Sequence, residues 1–222
     1  MWGGECMVNP GVSVLMYHSI ADNPRDPHSV APEEFSRQML ELAERRCSVI
    51  SLAEAIHTLR SLRNIFDSVV ITFDDAYENF LTDAAPILHR HGFPASIFVP
   101  TGLVGKTAVW DSYDQSKRLM DWDQLAEVSR QGFCVGSHTI NHPRLTECTP
   151  TDLEFELKGS LETLCKRIPD VLPVISYPGG FFGRREMKAA KAAGYIGGVG
   201  VASRWKNYPW TNPFHIRRRR WG

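Results

Sequence analysis

The sequence predicts a single α/β domain built as a closed or nearly closed βα barrel, with an open doubly wound parallel sheet as the second choice. Three observations carry this. Short apolar, often β-branched runs alternate with amphipathic helical stretches about seven or eight times. No linker or low-complexity break interrupts the 222 residues, a length that suits one domain and at most two. Reactive polar residues recur just after the apolar runs, and a parallel βα fold gathers such positions on one rim.

The elements follow in order. Val12–Met16 is a strand that runs into Tyr17-His18. Pro32-Glu33-Glu34 opens a helix whose apolar face is Phe35, Met39, Leu42 and Ala43, proline being suited to a first turn. A short strand at Cys47–Ile50 precedes Ser51-Leu-Ala-Glu54, a capping box that starts a helix over Leu52–Leu62. Ser68–Phe73 is a β-branched strand that stops at Asp74-Asp75. Pro86–His91 is a helix closed by Gly92, and Ala95–Val99 is the next strand. Thr101–Asp121 lacks a period and reads as a long loop, a kind of segment that usually serves function. A helix at Asp123–Gln131 and a strand at Phe133–Gly136 lead to Ser137-His138. Thr149-Pro150 starts a longer helix with a stripe of Leu153, Leu157, Leu161 and Leu164. Pro173–Tyr177 is a strand, Arg184–Ala193 a helix closed by Gly194, Tyr195–Val201 a strand, and Phe214–Ile216 a short last one.

Composition excludes several functions. Lys and Arg total 25 and so do Asp and Glu, so the net charge is zero, which argues against nucleic acid as a partner. The run Arg217–Arg220 reads as a solvated tail with one buried arginine. A 43% hydrophobic content excludes a disordered chain. No apolar run reaches the roughly 18 residues of a membrane helix. The first residues lack a basic stretch followed by an apolar one, so no signal peptide is read and a cytoplasmic location is expected. The cysteines (Cys6, Cys47, Cys134, Cys148, Cys165) are odd in number and widely spaced, which fits reduced, mostly buried thiols. No glycine-rich phosphate loop is present, and nothing points to a protein partner.

Two motifs carry chemistry. Adjacent carboxylates at Asp74 and Asp75 repel, and a divalent cation resolves the conflict when one binds it and the other stays free as a base. The alternative is a helix N-cap before Ala76–Leu81. His138-Thr-Ile-Asn-His142 has spacing that, on one helical turn, points both rings the same way. The alternative is a pair of loop histidines around a turn. Two imidazoles and one carboxylate on a common rim make an open-sided metal site suited to zinc.

Thr72-Phe-Asp-Asp-Ala-Tyr77, Ser137-His-Thr-Ile-Asn-His142 and Ser176-Tyr-Pro-Gly-Gly180, in this order and spacing, resemble the polysaccharide deacetylases, carbohydrate esterase family 4 or the NodB homology domain. The resemblance runs from Leu15-Met-Tyr-His18 to Arg217-Arg218. It implies a distorted (β/α)7 barrel in a single domain over residues 1–222, holding one divalent metal, zinc before cobalt, nickel or manganese. It also implies Asp74 as general base, with Asp75, His138 and His142 as metal ligands. Tyr17-His18 and Met120-Asp-Trp122-Asp-Gln-Leu125 resemble the poly-N-acetylglucosamine deacetylase branch. His18 is expected to bind substrate or act as the acid, ahead of His215. Trp122 is expected to line a sugar cleft, with core packing as its alternative. The Tyr177 backbone N–H is expected at the oxyanion, and Tyr177, Pro178 and Gly179 at the substrate.

The third motif departs from the family pattern: Val174-Ile-Ser176 precedes Tyr177 where many members carry an arginine that pairs with the base. Arg217 or Arg218 is expected to replace it, and Arg217 is counted among the catalytic residues. The function implied is metal-dependent removal of the N-acetyl group from an amino sugar, in a polysaccharide or its precursor, with release of acetate. The alternatives are an O-acetyl esterase, a hydrolase of another C–N bond, or a sugar-binding homologue without catalysis.

Overall fold

The computed structural model describes residues 11–61, 67–202 and 206–221. Seven parallel strands close into a ring: β1 (Val12–Tyr17), β2 (Ser68–Phe73), β3 (Ala95–Val99), β4 (Cys134–Ser137), β5 (Val171–Ser176), β6 (Gly197–Val201) and β7 (Ile216–Arg219). β1 pairs with β2 along its whole length, from Val12 opposite Ser68 to Tyr17 opposite Phe73. β7 closes the ring, with Val14 of β1 opposite Arg218. The ring is irregular: the register slips between Val135 and Ser137 where β4 meets β5, and a short strand, Ser48–Val49, adds to the start of β2. The barrel expectation holds, and the open sheet does not.

Among the described residues six α-helices accompany the strands: α1 (Pro32–Glu44), α2 (Leu52–Ser61), α3 (Ala85–His91), α4 (Trp122–Arg130), α5 (Pro150–Arg167) and α6 (Arg184–Ala192). Their starts follow local chemistry. Pro32 and Pro150 occupy first turns, Asp121 and Gln124 form a reciprocal capping box, and the Ser51 hydroxyl accepts the Glu54 N–H at 3.1 Å. Gly92 ends α3 at φ +65°, a conformation glycine adopts without strain. Leu62, the expected end of α2, lies outside the described residues, as do Cys6 and the N-terminal stretch read for a signal peptide.

Alternation along the strands separates two layers. Val12, Val14, Val70, Phe98, Val174, Val199 and Ile216 form one buried set, against which α2 packs through Leu52, Ile56 and Leu59. The neighbouring residues Leu15, Tyr17, Ile71, Phe73, Ile97 and Val99 face outward onto α1, α3 and α4. Ile175 and Tyr177 do the same toward α5 and α6. The first set turns polar toward the strand C-termini, where the same two-residue period continues to His18, Thr72, Asp74, His138, Ser176 and Arg218. One end of the barrel is therefore apolar packing and the other is the site.

Several expectations are corrected. The last strand is Ile216–Arg219 rather than Phe214–Ile216. No helix starts directly after Asp75. Asp75 and Ala76 have φ of +71° and +57°, and a π-helical turn begins only at Phe80, so the N-cap reading fails. The thiols are less buried than expected: Cys47, Cys134 and Cys148 are half-buried, Cys165 is exposed, and no disulfide joins these four. Among the described residues no helix is long and apolar enough to cross a membrane.

Candidate active site

Asp74 and Asp75 follow β2, and the chain reverses there. The two left-handed residues Asp75 and Ala76 send the adjacent carboxylates to different partners. Asp74 meets Arg218, whose Nη1 and Nη2 each donate to one carboxylate oxygen at 2.7 Å. The remaining guanidinium hydrogens are also placed. Nη1 reaches Thr72 Oγ1 at 3.2 Å, Nη2 reaches Ser176 Oγ at 2.8 Å and Nε reaches the Gly200 carbonyl at 3.2 Å. Arg218 is 1% exposed, and all five of its donors are satisfied, as a buried cation requires. Burial alone would raise the Asp74 pKa, but the Arg218 charge and hydrogen bonds, with His138 and His18, hold it well below the usual carboxylate range.

The arginine expected at position 217 is a correction. Ile216 is buried, and strand residues alternate, so Arg218 shares its face and Arg217 points the other way. Arg217 is tied through its backbone to Asn207.

Asp75 turns to the histidines. Its Oδ1 lies 3.4 Å from His138 Nε2 and 3.5 Å from His142 Nε2. That oxygen is buried with no hydrogen-bond partner, a costly state without a cation. His138 Nδ1 is 2.7 Å from the Ser176 carbonyl. A carbonyl only accepts, so Nδ1 carries a proton, and in the neutral ring this leaves the Nε2 lone pair facing Asp75. The three candidate ligand atoms lie within 4.8 Å of one another. Separations near 3.4 Å match neighbouring donors around an ion with bonds of about 2.0–2.2 Å, the zinc–nitrogen and zinc–oxygen range. The residues present therefore fit a divalent cation.

The histidine turn is not helical, contrary to the spacing argument. Thr139 and His142 have φ of +68° and +57°, and the segment is held from outside. Glu156 of α5 is buried and accepts the Ile140 N–H at 2.8 Å, the Asn141 N–H at 2.9 Å and the Asn141 side-chain amide at 2.7 Å. Thr139 Oγ1 accepts the His142 N–H at 3.1 Å. Trp110 lies against the His142 ring, centroids 4.6 Å apart. Burial and the neighbouring His138 lower the His142 pKa to about 4. For His138 burial acts in the same direction, but Asp74 and Asp75 outweigh it and the net shift is upward.

A cavity of about 310 Å³ opens over these residues. His18, His28, Trp110, Tyr113, Gly179 and Arg220 complete its walls, a volume in the range of small-molecule sites. His18 Nε2 is 4.0 Å from Asp74 Oδ2, and burial lowers its pKa to about 4 despite both aspartates. Gly179 and Gly180 have φ of +62° and +73°, so the turn that forms this wall needs glycine.

Three expected residues sit elsewhere. The Tyr177 ring is buried under Phe182, centroids 4.2 Å apart, and its hydroxyl donates to the Phe214 carbonyl at 3.2 Å. Its N–H is donated to the Val199 carbonyl at 3.1 Å, so the oxyanion role expected of it is not met here. Pro178 is buried and outside the cavity lining. Trp122 starts α4 half-buried against the barrel's outer layer, with the Arg167 guanidinium 5.7 Å over its ring, so core packing describes it. His28, Trp110, Asp111, Tyr113 and Arg220 were missed. The aromatic content of the loop after β3 was the one signal for two of them.

A seven-stranded parallel barrel with a carboxylate–histidine cluster on its C-terminal rim defines the class. A family model described as polysaccharide deacetylase matches residues 63–197, and the chain belongs to that family. The chain is 31% identical over 196 residues to YxkH of Bacillus subtilis, covering 86% of this chain and 66% of that protein. It is 25% identical over 200 residues to the poly-beta-1,6-N-acetyl-D-glucosamine N-deacetylase of Staphylococcus aureus, covering 86% and 67%. The chain thus spans about two thirds of the length of these relatives. Among solved structures, the Streptococcus pyogenes deacetylase PplD in complex with acetate superposes with a TM-score of 0.81 at 25% identity, covering 96% and 93%. IcaB from Ammonifex degensii superposes at 0.84, with 21% identity over 96% and 93%, and is a likeness of fold.

Proposed function

We propose that this chain is a metal-dependent N-deacetylase that releases acetate from an N-acetylated amino sugar of a polysaccharide. One observation carries the reading: two adjacent aspartates are split between a buried arginine and a pair of histidines. Asp75, His138 and His142 would hold a divalent cation, zinc by donor chemistry. Such a cation, when bound, supplies Lewis acidity that polarises the acetyl carbonyl and makes water a stronger acid.

The chain's own residues do the rest. Asp74 stays ionised beside Arg218 and takes the proton of the water that attacks the amide carbon. The amine nitrogen must gain a proton to leave, and His18 is the group proposed to deliver it. Its ring is neutral at rest, so the proton arrives during turnover from Asp74, whose Oδ2 lies 4.0 Å from Nε2. The products are acetate and a free amino sugar. The name of the staphylococcal relative supports a polymer of N-acetylglucosamine as the substrate class.

The test pairs acetate release with metal content, using a panel of N-acetylated sugars and oligomers. Wild type should bind one zinc per chain and release acetate, and Asp74→Asn should keep the zinc and lose the release. A zinc-loaded wild type that is inert on the whole panel would overturn the reading in favour of sugar binding alone.

A further inference from the structure

Met16 and Val201 of the strands reach the pocket, but much of its wall comes from loops. His28 lies on the loop after β1, and Trp110, Asp111 and Tyr113 lie on the long loop after β3. That second loop has almost no regular structure of its own, apart from the bridges Tyr77–Leu119 and Thr107–Arg118. A loop of this length stays ordered only where it is tied down.

The tie is a buried ion cluster. The Lys117 amine is paired with both Asp26 and Asp111, the latter at 2.8 Å. The three side chains are 10%, 0% and 7% exposed. Asp26 sits 91 positions before Lys117 and anchors its own loop by accepting the Ser29 hydroxyl at 2.6 Å and the His28 N–H at 2.8 Å. Asp111 anchors the other loop through the Tyr113 N–H at 2.8 Å and receives the Tyr77 hydroxyl at 3.1 Å. The Lys117 amine also lies 5.3 Å from the Tyr77 ring centre.

Burying one ammonium with two carboxylates is a poor way to gain stability, since apolar side chains of similar volume usually do as well or better. The cluster does something apolar residues would not, which is to impose a hydrogen-bonded register between two loops. Each loop then presents a ring to the cavity: His28 stands edge-on to His18 at 4.8 Å, and Trp110 lies on His142.

We propose that Lys117 is a positioning residue that sets the spacing of the two pocket walls and so the affinity for the acetylated sugar. This rests on the deacetylase reading above. Without the ammonium, Asp26 and Asp111 face each other uncompensated and the loops part, while the ligands Asp75, His138 and His142 stay on the barrel rim.

The test uses the zinc-loaded chain, with Lys117→Met and the milder Asp26→Asn. With a β-1,6-linked N-acetylglucosamine oligomer, Lys117→Met should raise KM about tenfold or more, since small misplacements at a site are amplified. It should change kcat much less and leave zinc stoichiometry unchanged. Asp26→Asn should shift KM in the same direction by less. Amide hydrogen exchange should quicken together in residues 24–30 and 107–116 and stay unchanged in the seven strands. Unchanged KM, lost zinc, or exchange that rises equally in the strands would overturn the proposal. If wild type releases no acetate, the deacetylase reading fails, and the exchange measurement alone decides whether Lys117 couples the loops.

Discussion

Arg218 and Asp74 form a buried two-armed ion pair, 2.7 Å on each arm, between the last strand of the barrel and the end of the second. The pair joins residues 144 positions apart, so it also fastens the closing strand at the catalytic rim. Removing the cation leaves a carboxylate buried without compensation, a loss of about 3–5 kcal/mol. Arg218→Met is therefore expected to lower the urea midpoint strongly and abolish acetate release, whereas Arg217→Met should leave both near wild type. Equal effects of the two would contradict the strand alternation that places them.

Arg218→Lys isolates geometry from charge. A lysine offers one ammonium where the guanidinium bonds both oxygens and three further acceptors. We expect the fold to survive and kcat to fall about a hundredfold as Asp74 loses its fixed orientation. Circular dichroism and an acetate assay check this.

The histidine turn should depend on Glu156, which accepts three donors between His138 and His142. Glu156→Ala is expected to weaken zinc binding about 10–100-fold, the range for removing an outer-shell partner. Glu156→Gln keeps one acceptor oxygen and should lose less. Competition with a chelating dye measures both.

Stability of the metal-free protein should depend on pH through His18 and His142. Burial lowers both from 6.5 to about 4, so the unfolded chain binds protons that the native state refuses. Their contribution is complete above pH 6.5 and is lost as the pH falls toward about 4. His138, shifted upward, contributes in the opposite sense, adding stability in acid that disappears as the pH rises through its folded value. With two groups against one, thermal unfolding should shift to lower temperature between pH 6.5 and 4, and His18→Gln should flatten that slope.

Much of the architecture was legible in the sequence. β-branched runs with two-residue alternation, capping boxes and prolines at first turns act locally, so β2, α1, α2 and α5 could be read directly. That Asp74, Asp75, His138 and His142 meet on the rim was legible because they lie at or just beyond strand ends, and a parallel barrel collects such ends on one side. Residue contacts between loops left no such signal. Nothing local links Asp26 to Lys117 or His28 to His18, and no local property showed that Trp122 packs on the barrel's outer layer while Trp110 lies against His142.

By itself, then, the sequence determined which residue types reach the rim, since strand ends and short motifs are local properties. Only the tertiary structure decided that Arg218 rather than Arg217 holds Asp74, that Tyr177 is structural, and that two loops wall the pocket. Those outcomes depend on strand phase, on ring closure between β7 and β1, and on burial of charges far apart in the chain. Each is a property of the closed barrel and of no segment alone.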